Sequence, residues 1–291
     1  MNVAKRAQPI SEKALIMSGY GINSEMETQE ALRRAGMASE IVHINDLIAG
    51  RKKLSAYRLL VFPGGFSYGD DTGAGNAYAN RVRNNLWDEL LEFLDNDNLV
   101  LGICNGFQIL ANLGLVPAFG RKYAREIALM PNRSGVLECS FVTLKPAVSN
   151  HWTKGIERIC CPIAHGEGNF QCAPEVLKRI KEKNMICFKY VREDLSPAKG
   201  EFPFNPNGAL EDIAGITSED GKVLGLMPHP ERAMEFTGLY DWPLQKELLK
   251  RGLSEAPVRP GLPGCRPGTL PSESLNMQFF RNVVGYFGKR D

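Results

Sequence analysis

Short apolar runs alternate with helix-period patterns along the first hundred residues of the chain. Residues 13–17 read as a buried strand, followed by a turn that holds Gly19 and Gly21. A helix is predicted from an N-cap at Ser24 to Gly36, with Glu25 and Glu27 in its first turn. Strands are predicted at 40–44 and 59–62, the second running directly into Pro63-Gly64-Gly65. Between 76 and 94, Tyr78, Val82, Leu86, Leu90 and Phe93 recur at helical spacing, the core stripe of a long amphipathic helix. Residues 98–103 then read as a strand and 105–113 as a helix. Such alternation indicates a parallel sheet with helices on its faces.

Downstream the pattern changes. Strands are predicted at 135–144, 158–163 and 185–191, with a short helix at 175–182. Residues 213–217 and 222–227 form a predicted hairpin across Ser218-Glu219-Asp220-Gly221, since Asp-Gly favours tight turns. The fold class expected is therefore α/β: a three-layer open, mostly parallel sheet with helices on both faces, plus an extra antiparallel portion. One domain is expected over 1–291, interrupted at 237–275 by an irregular excursion whose core, 255–274, is rich in proline and glycine. A closing amphipathic helix at 273–287 carries Leu275, Phe279, Val283 and Phe287. A Pro-rich segment loses little entropy on ordering, which suits the excursion to a partner face near the active-site mouth; the alternative is passive surface.

Composition narrows the function classes. The 291 residues are 43% hydrophobic, ordinary for a globular chain, and 35 basic against 33 acidic side chains leave a net charge of +2. Clusters such as Arg33-Arg34 and Arg51-Lys52-Lys53 read as solvated faces, so no nucleic-acid partner is expected. Residues 1–13 are polar and lack the apolar core of a signal peptide, and no apolar run approaches the roughly 20 residues that cross a bilayer. Seven cysteines without framework spacing suggest reduced thiols and a cytoplasmic location. With no Cys-x-x-Cys pair or His/Cys cluster, no metal site is expected.

The candidate chemistry lies in Gly102-Ile103-Cys104-Asn105-Gly106-Phe107-Gln108. A strand that turns sharply into a helix at a nucleophile holds that side chain out of the sheet and aims the first free N–H groups of the helix at its target. The positive end of the helix also favours a thiolate. A cysteine nucleophile needs a base, and the base an orienting group. Far downstream, Met227-Pro228-His229-Pro230-Glu231-Arg232 supplies both: each proline pushes the residue before it toward extended backbone, where side chains i and i+2 point the same way. Glu231 can then reach one imidazole nitrogen of His229 and leave the other for Cys104. Cys104, His229 and Glu231 form the candidate catalytic triad, and the Asn105 amide, first in the helix, is one candidate donor to an oxyanion.

Taken with Pro63-Gly64-Gly65-Phe66-Ser67-Tyr68-Gly69-Asp70, Pro162-Ile163-Ala164-His165-Gly166-Glu167-Gly168, Asn205-Pro206-Asn207-Gly208 and Ile213-Ala214-Gly215-Ile216, these motifs resemble the class I, triad-type glutamine amidotransferases. Within that group they are similar to the branch that forms the glutaminase component of phosphoribosylformylglycinamidine synthase. The matching stretches keep the family's order. The resemblance implies a flavodoxin-like sheet, hydrolysis of glutamine through a cysteine thioester, and a second oxyanion donor at the Gly65 or Phe66 amide. It also implies glutamine contacts at Gly64 and Gln108. His165 is read as lining the glutamine pocket or joining a structural network rather than as a second base.

The resemblance further implies a separate synthase subunit that uses ATP and magnesium to aminate formylglycinamide ribonucleotide, possibly with a small accessory subunit. This chain has no Walker loop, so no cofactor of its own is expected. Leu137 and Ser140 stand near places where the family carries an aromatic residue and an arginine, which puts a substrate role there in doubt. His43 and His151 are read as structural, and Cys139, Cys160, Cys161, Cys172, Cys187 and Cys265 as bystanders. Two rival readings are a γ-glutamyl hydrolase or peptidase on the same fold and a non-catalytic relative.

Overall fold

A computed structural model describes residues 10–251 and 272–288. Its first half follows the apolar pattern closely: β1 (Ile10–Ser18), α1 (Glu25–Ala35), β2 (Met37–His43), α2 (Ile44–Ile48), β3 (Leu59–Phe62), α3 (Asn76–Asp95), β4 (Leu99–Ile103) and α4 (Asn105–Leu113). The stripe Tyr78, Val82, Leu86, Leu90 and Phe93 on α3 is buried throughout. The second half comprises β5 (Ile127–Pro131), β6 (Glu138–Pro146), β7 (Ile159–His165), β8 (Glu167–Cys172), α5 (Pro174–Glu182), β9 (Ile186–Val191), β10 (Ile213–Thr217) and β11 (Val223–Leu226). It closes with α6 (Trp242–Lys250) and α7 (Met277–Phe287).

Nine strands form one sheet in the order β2-β1-β3-β4-β11-β10-β9-β6-β7. The pairings from β2 across to β11 are parallel, and those from β11 onward to β7 antiparallel. The fold is thus α/β, with an antiparallel extension grafted on the β11 side. The pivotal pairing is that of β11 with β4, which sets Leu226 opposite Ile103. Both strands end there together, so the chain leaves β4 at Cys104 and leaves β11 toward His229 from the same edge of the sheet. In open α/β sheets that edge, at the carboxyl ends of the strands, is where ligands bind.

Close packing of α4 on the sheet depends on glycine. A Cβ at Gly106 would sit 1.8 Å from the Phe62 carbonyl oxygen, and one at Gly225 would sit 2.0 Å from the Phe107 ring. Gly106→Ala must therefore lift α4 off β3, and a loss of about 1–3 kcal/mol is expected. Urea denaturation monitored by circular dichroism measures it, and an unchanged midpoint would contradict this packing.

One sequence expectation needs correction, and one pair of strands escaped the pattern. Two strands, β5 and β8, form a separate antiparallel pair that the pattern did not reveal; β8 reads Glu-Gly-Asn-Phe-Gln-Cys, too polar and too glycine-rich to signal a strand. The excursion set at 237–275 is not irregular throughout, because residues Trp242–Lys250 are helical. Residues 252–271 of the excursion lie outside the described residues, Cys265 among them. Ser24 occupies the N-cap position of α1 but makes no side-chain cap bond; its hydroxyl accepts instead from Arg232 at 2.6 Å. Among the described residues, no helix is long and apolar enough to cross a membrane.

Candidate active site

Cys104 sits between β4 and α4 at φ 52°, ψ −107°, a backbone conformation that L residues rarely adopt. Its own N–H donates to the Leu226 carbonyl at 2.8 Å, which ties the elbow to β11. Cys104 is 3% exposed, and its thiol lies 3.9 Å from the Ala164 carbonyl at the end of β7. Strained backbone of this kind persists only where its surroundings enforce it, and here the parallel register with β11 and the packing of Gly106 on Phe62 do so.

His229 and Glu231 are both buried, and the imidazole Nδ1 lies 2.6 Å from Glu231 Oε1. The backbone route differs from the extended one expected: Pro230–Arg232 forms a 3-10 turn, which folds Glu231 back onto the ring. The His229 amide donates to the Pro162 carbonyl of β7 at 2.9 Å. Nε2 makes no hydrogen bond of ordinary length and is the nitrogen left for the thiol. Burial alone would lower the imidazole pKa, but the Glu231 carboxylate and then Cys104 outweigh it and hold the pKa raised. Gly64 crosses directly over this ring, where a Cβ would come 2.4 Å from His229 Cε1.

The backbone donors around Cys104 sort cleanly. The Phe66 N–H is committed to the Gly21 carbonyl at 2.9 Å, so in this conformation it is not free for an oxyanion. Among the described residues, the Gly65 and Asn105 amides donate to no acceptor. A free amide at the start of a helix and another from the facing loop can serve a developing negative charge.

Comparisons with known proteins place the chain in a family. A family model described as a CobB/CobQ-like glutamine amidotransferase domain matches residues 11–256. The PurQ subunit of phosphoribosylformylglycinamidine synthase from Methanococcus maripaludis strain S2 is 47% identical over 281 residues, covering 95% of this chain and 98% of that one. The chain belongs to the PurQ family of glutamine amidotransferases. The PurQ subunit of Treponema denticola is 44% identical across 75% of this chain and 87% of its own. A solved PurLQS structure from Thermotoga maritima superposes with a TM-score of 0.65 at 28% identity, covering 94% of this chain and 98% of that one.

The remaining predicted site residues of this PurQ-family chain are held in a buried polar network. Gln108 is 4% exposed; its Oε1 accepts from Asn105 Nδ2 at 2.8 Å and its Nε2 donates to the Glu167 carbonyl at 2.5 Å. Much of its capacity therefore goes to tying α4 to the β7–β8 turn. Asn105 Oδ1 in turn accepts from the Ser67 amide at 3.2 Å. Asp70, beside Asn105, has its pKa raised to about 6 by burial and then by the nearby Glu167 carboxylate.

His165 is 1% exposed and faces Asn132, with Nδ1 and Oδ1 3.1 Å apart. The Asn132 Nδ2 donates to the Val136 and His165 carbonyls at 2.9 and 2.7 Å, so its Oδ1 is the acceptor and His165 Nδ1 carries the proton. Burial and then His229 lower the His165 pKa to about 4, which makes it a neutral ring at ordinary pH. Asn132 escaped the sequence reading because nothing in an Asn-Arg-Ser turn marks a buried amide.

Elsewhere, His43 Nδ1 accepts the Asn45 amide at 3.1 Å and starts α2, and His151 packs on the Trp152 ring. Burial raises the Cys160 thiol to about 12 and Cys172 to about 11, and pushes Cys161 and Cys187 up as well. Such thiols stay protonated and are poor nucleophiles. Among the described residues, no group of three or more His, Cys, Asp and Glu side chains is placed to hold a metal.

Proposed function

We propose that the chain hydrolyses glutamine to glutamate and ammonia and supplies that ammonia to a synthase subunit, which converts formylglycinamide ribonucleotide to formylglycinamidine ribonucleotide in purine biosynthesis. The observation that carries this reading is the 2.6 Å His229–Glu231 pair beside a cysteine at a strand-to-helix elbow. The Cys104 thiolate attacks the side-chain amide carbon of glutamine, and the oxyanion that forms is met by the Gly65 and Asn105 amides. His229 gives its proton to the departing nitrogen, and ammonia leaves as the C–N bond breaks. A water then loses a proton to His229 and attacks the thioester carbon, the C–S bond breaks, and glutamate and the thiolate are released. Glu231 orients the imidazole and stabilises its charged form.

The names of the relatives supply the partner. Methanococcus maripaludis PurQ is a subunit of the synthase, and PurQ of Thermotoga maritima occurs in a PurLQS assembly. ATP and magnesium act on the synthase subunit, and a small accessory subunit completes the assembly.

The test compares glutamine with γ-glutamyl peptides as substrates of the purified chain, alone and with its synthase subunit. Ammonia release from glutamine is expected, and preference for γ-glutamyl peptides would favour a hydrolase instead. Glu231→Gln should cost less than loss of Cys104 or His229, because it retains a neutral group beside Nδ1 while weakening support for the imidazolium. Substitution of Cys139, Cys160, Cys161, Cys172 or Cys187 should leave turnover within about tenfold, since these thiols lie outside the reacting atoms. A loss of about 10⁴-fold, on the order of a triad deletion, at any of them would sink the assignment of nucleophile.

A further inference from the structure

The loop that carries His229 and Glu231 is fastened at its entrance by β7, through the Pro162 carbonyl. Its exit is fastened by a segment from more than forty positions downstream. The Ser274 hydroxyl donates to the Ala233 carbonyl, and the Ser274 amide donates to the Met234 carbonyl at 2.7 Å. Asn276 Nδ2 donates to the same Ala233 carbonyl at 3.1 Å and to the Cys160 carbonyl at 2.8 Å, while Asn276 Oδ1 accepts from the Cys160 amide at 3.3 Å. Glu235 and Glu273 form a further antiparallel bridge just outside this set.

These bonds close a ring. Ala233 is two residues beyond Glu231, and Cys160 is two residues before Pro162, whose carbonyl holds the His229 amide. One carboxamide thus grips the outgoing end of the catalytic loop and the free edge of β7, the last strand of the sheet. Ser274 is 3% exposed and Asn276 1%. Without them, the Ala233 carbonyl and the Cys160 edge groups would lose their partners inside the protein, where unmade hydrogen bonds are costly. The same segment leads into α7, whose apolar face is buried.

We propose that Ser274 and Asn276 are positioning residues for the glutaminase reaction: the C-terminal segment clasps the His229–Glu231 loop to β7 and holds the imidazole in register with Cys104. Neither residue touches the reacting atoms, and both act through the loop backbone. The inference rests on the triad reading given above. A displacement of the base by about 1 Å is enough to cost on the order of a hundredfold in rate. The proposed glutamine pocket lies at α4, the Gly64–Gly65 loop and the β7–β8 turn, to none of which Ser274 or Asn276 is hydrogen-bonded directly.

The experiment measures kcat and KM for glutamine on the full chain bearing Asn276→Asp, Ser274→Ala or Ser274→Thr, with thermal melts in parallel. Asn276→Asp keeps the shape but turns an oxygen toward the two carbonyls. It should lower kcat about tenfold or more while KM moves less than about threefold. Ser274→Ala should follow in the same direction, and Ser274→Thr, which retains the hydroxyl, should restore kcat. If Asn276→Asp does not fold, the Ser274 pair decides alone. A folded variant with wild-type kcat, equal losses in Ala and Thr, or a rise in KM without change in kcat would overturn the proposal. Failure of the triad reading shows separately, as wild-type protein that does not turn over glutamine or that keeps its turnover after loss of Cys104.

Discussion

Cys104→Ala is expected to abolish glutamine-dependent synthesis by the assembled synthase and to leave synthesis from added ammonium salts intact. In the proposed mechanism the thiolate is the only protein group that bonds covalently to the substrate, and losing a nucleophile from a coupled triad costs about 10⁴-fold or more. The partner's chemistry is untouched, because ammonia enters it as a free reactant. Measuring both nitrogen sources on one preparation removes assembly and folding as explanations. Residual glutamine turnover near wild type would reject Cys104 as nucleophile, and equal loss with both nitrogen sources would place the defect in assembly. Cys104→Gly should be just as inactive yet more stable. A cysteine at φ 52°, ψ −107° carries strain on the order of 1–3 kcal/mol that glycine does not. A gain in the urea midpoint of the inactive glycine variant, relative to Cys104→Ala, would show that the fold holds its nucleophile at a cost in stability.

How much of this was legible beforehand follows from how local each signal is. The elbow is a local signal: glycines on either side of Cys104 and a strand giving way to a helix are visible within seven residues. The His229–Glu231 pair is local too, although the prolines act by shaping a 3-10 turn rather than an extended run. The long helix α3 was readable because its stripe repeats over twenty residues. What brings Cys104 and His229 together was not readable, since it is the register of Leu226 against Ile103, a pairing between segments more than a hundred residues apart. The commitment of the Phe66 amide to Gly21 depends on a similar long-range bridge. Asn132, Ser274 and Asn276 were invisible for a related reason: an amide or hydroxyl gains meaning only from the backbone groups that tertiary structure sets against it. The pair β5–β8 failed for want of an apolar alternation. Sequence thus displays the groups that do chemistry more readily than the groups that hold them in place.

Gly64→Ala is the sharpest test of that second class. Gly64 sits in the loop after β3, where its carbonyl accepts the Asn23 and Ser24 amides at 3.0 and 3.2 Å and so anchors the start of α1. Its backbone is not in the left-handed region, so alanine is permitted conformationally. The obstacle is space alone: the new methyl would lie 2.4 Å from His229 Cε1, 3.2 Å from its Nδ1 and 3.1 Å from Ser24 Oγ. Neither neighbour yields easily, because Nδ1 is tied to Glu231 and the Ser24 hydroxyl accepts from Arg232. The imidazole must swing away, and with it the base that serves Cys104. A loss in kcat of about a hundredfold is expected, with much smaller change in the thermal midpoint, because one methyl displaces a ring rather than a core. Gly285→Ala, at an open position on α7, is the matched control and should be active and slightly more stable. Wild-type turnover in Gly64→Ala would mean that His229 does not need the place it occupies here, and the geometry of the triad would have to be assigned anew.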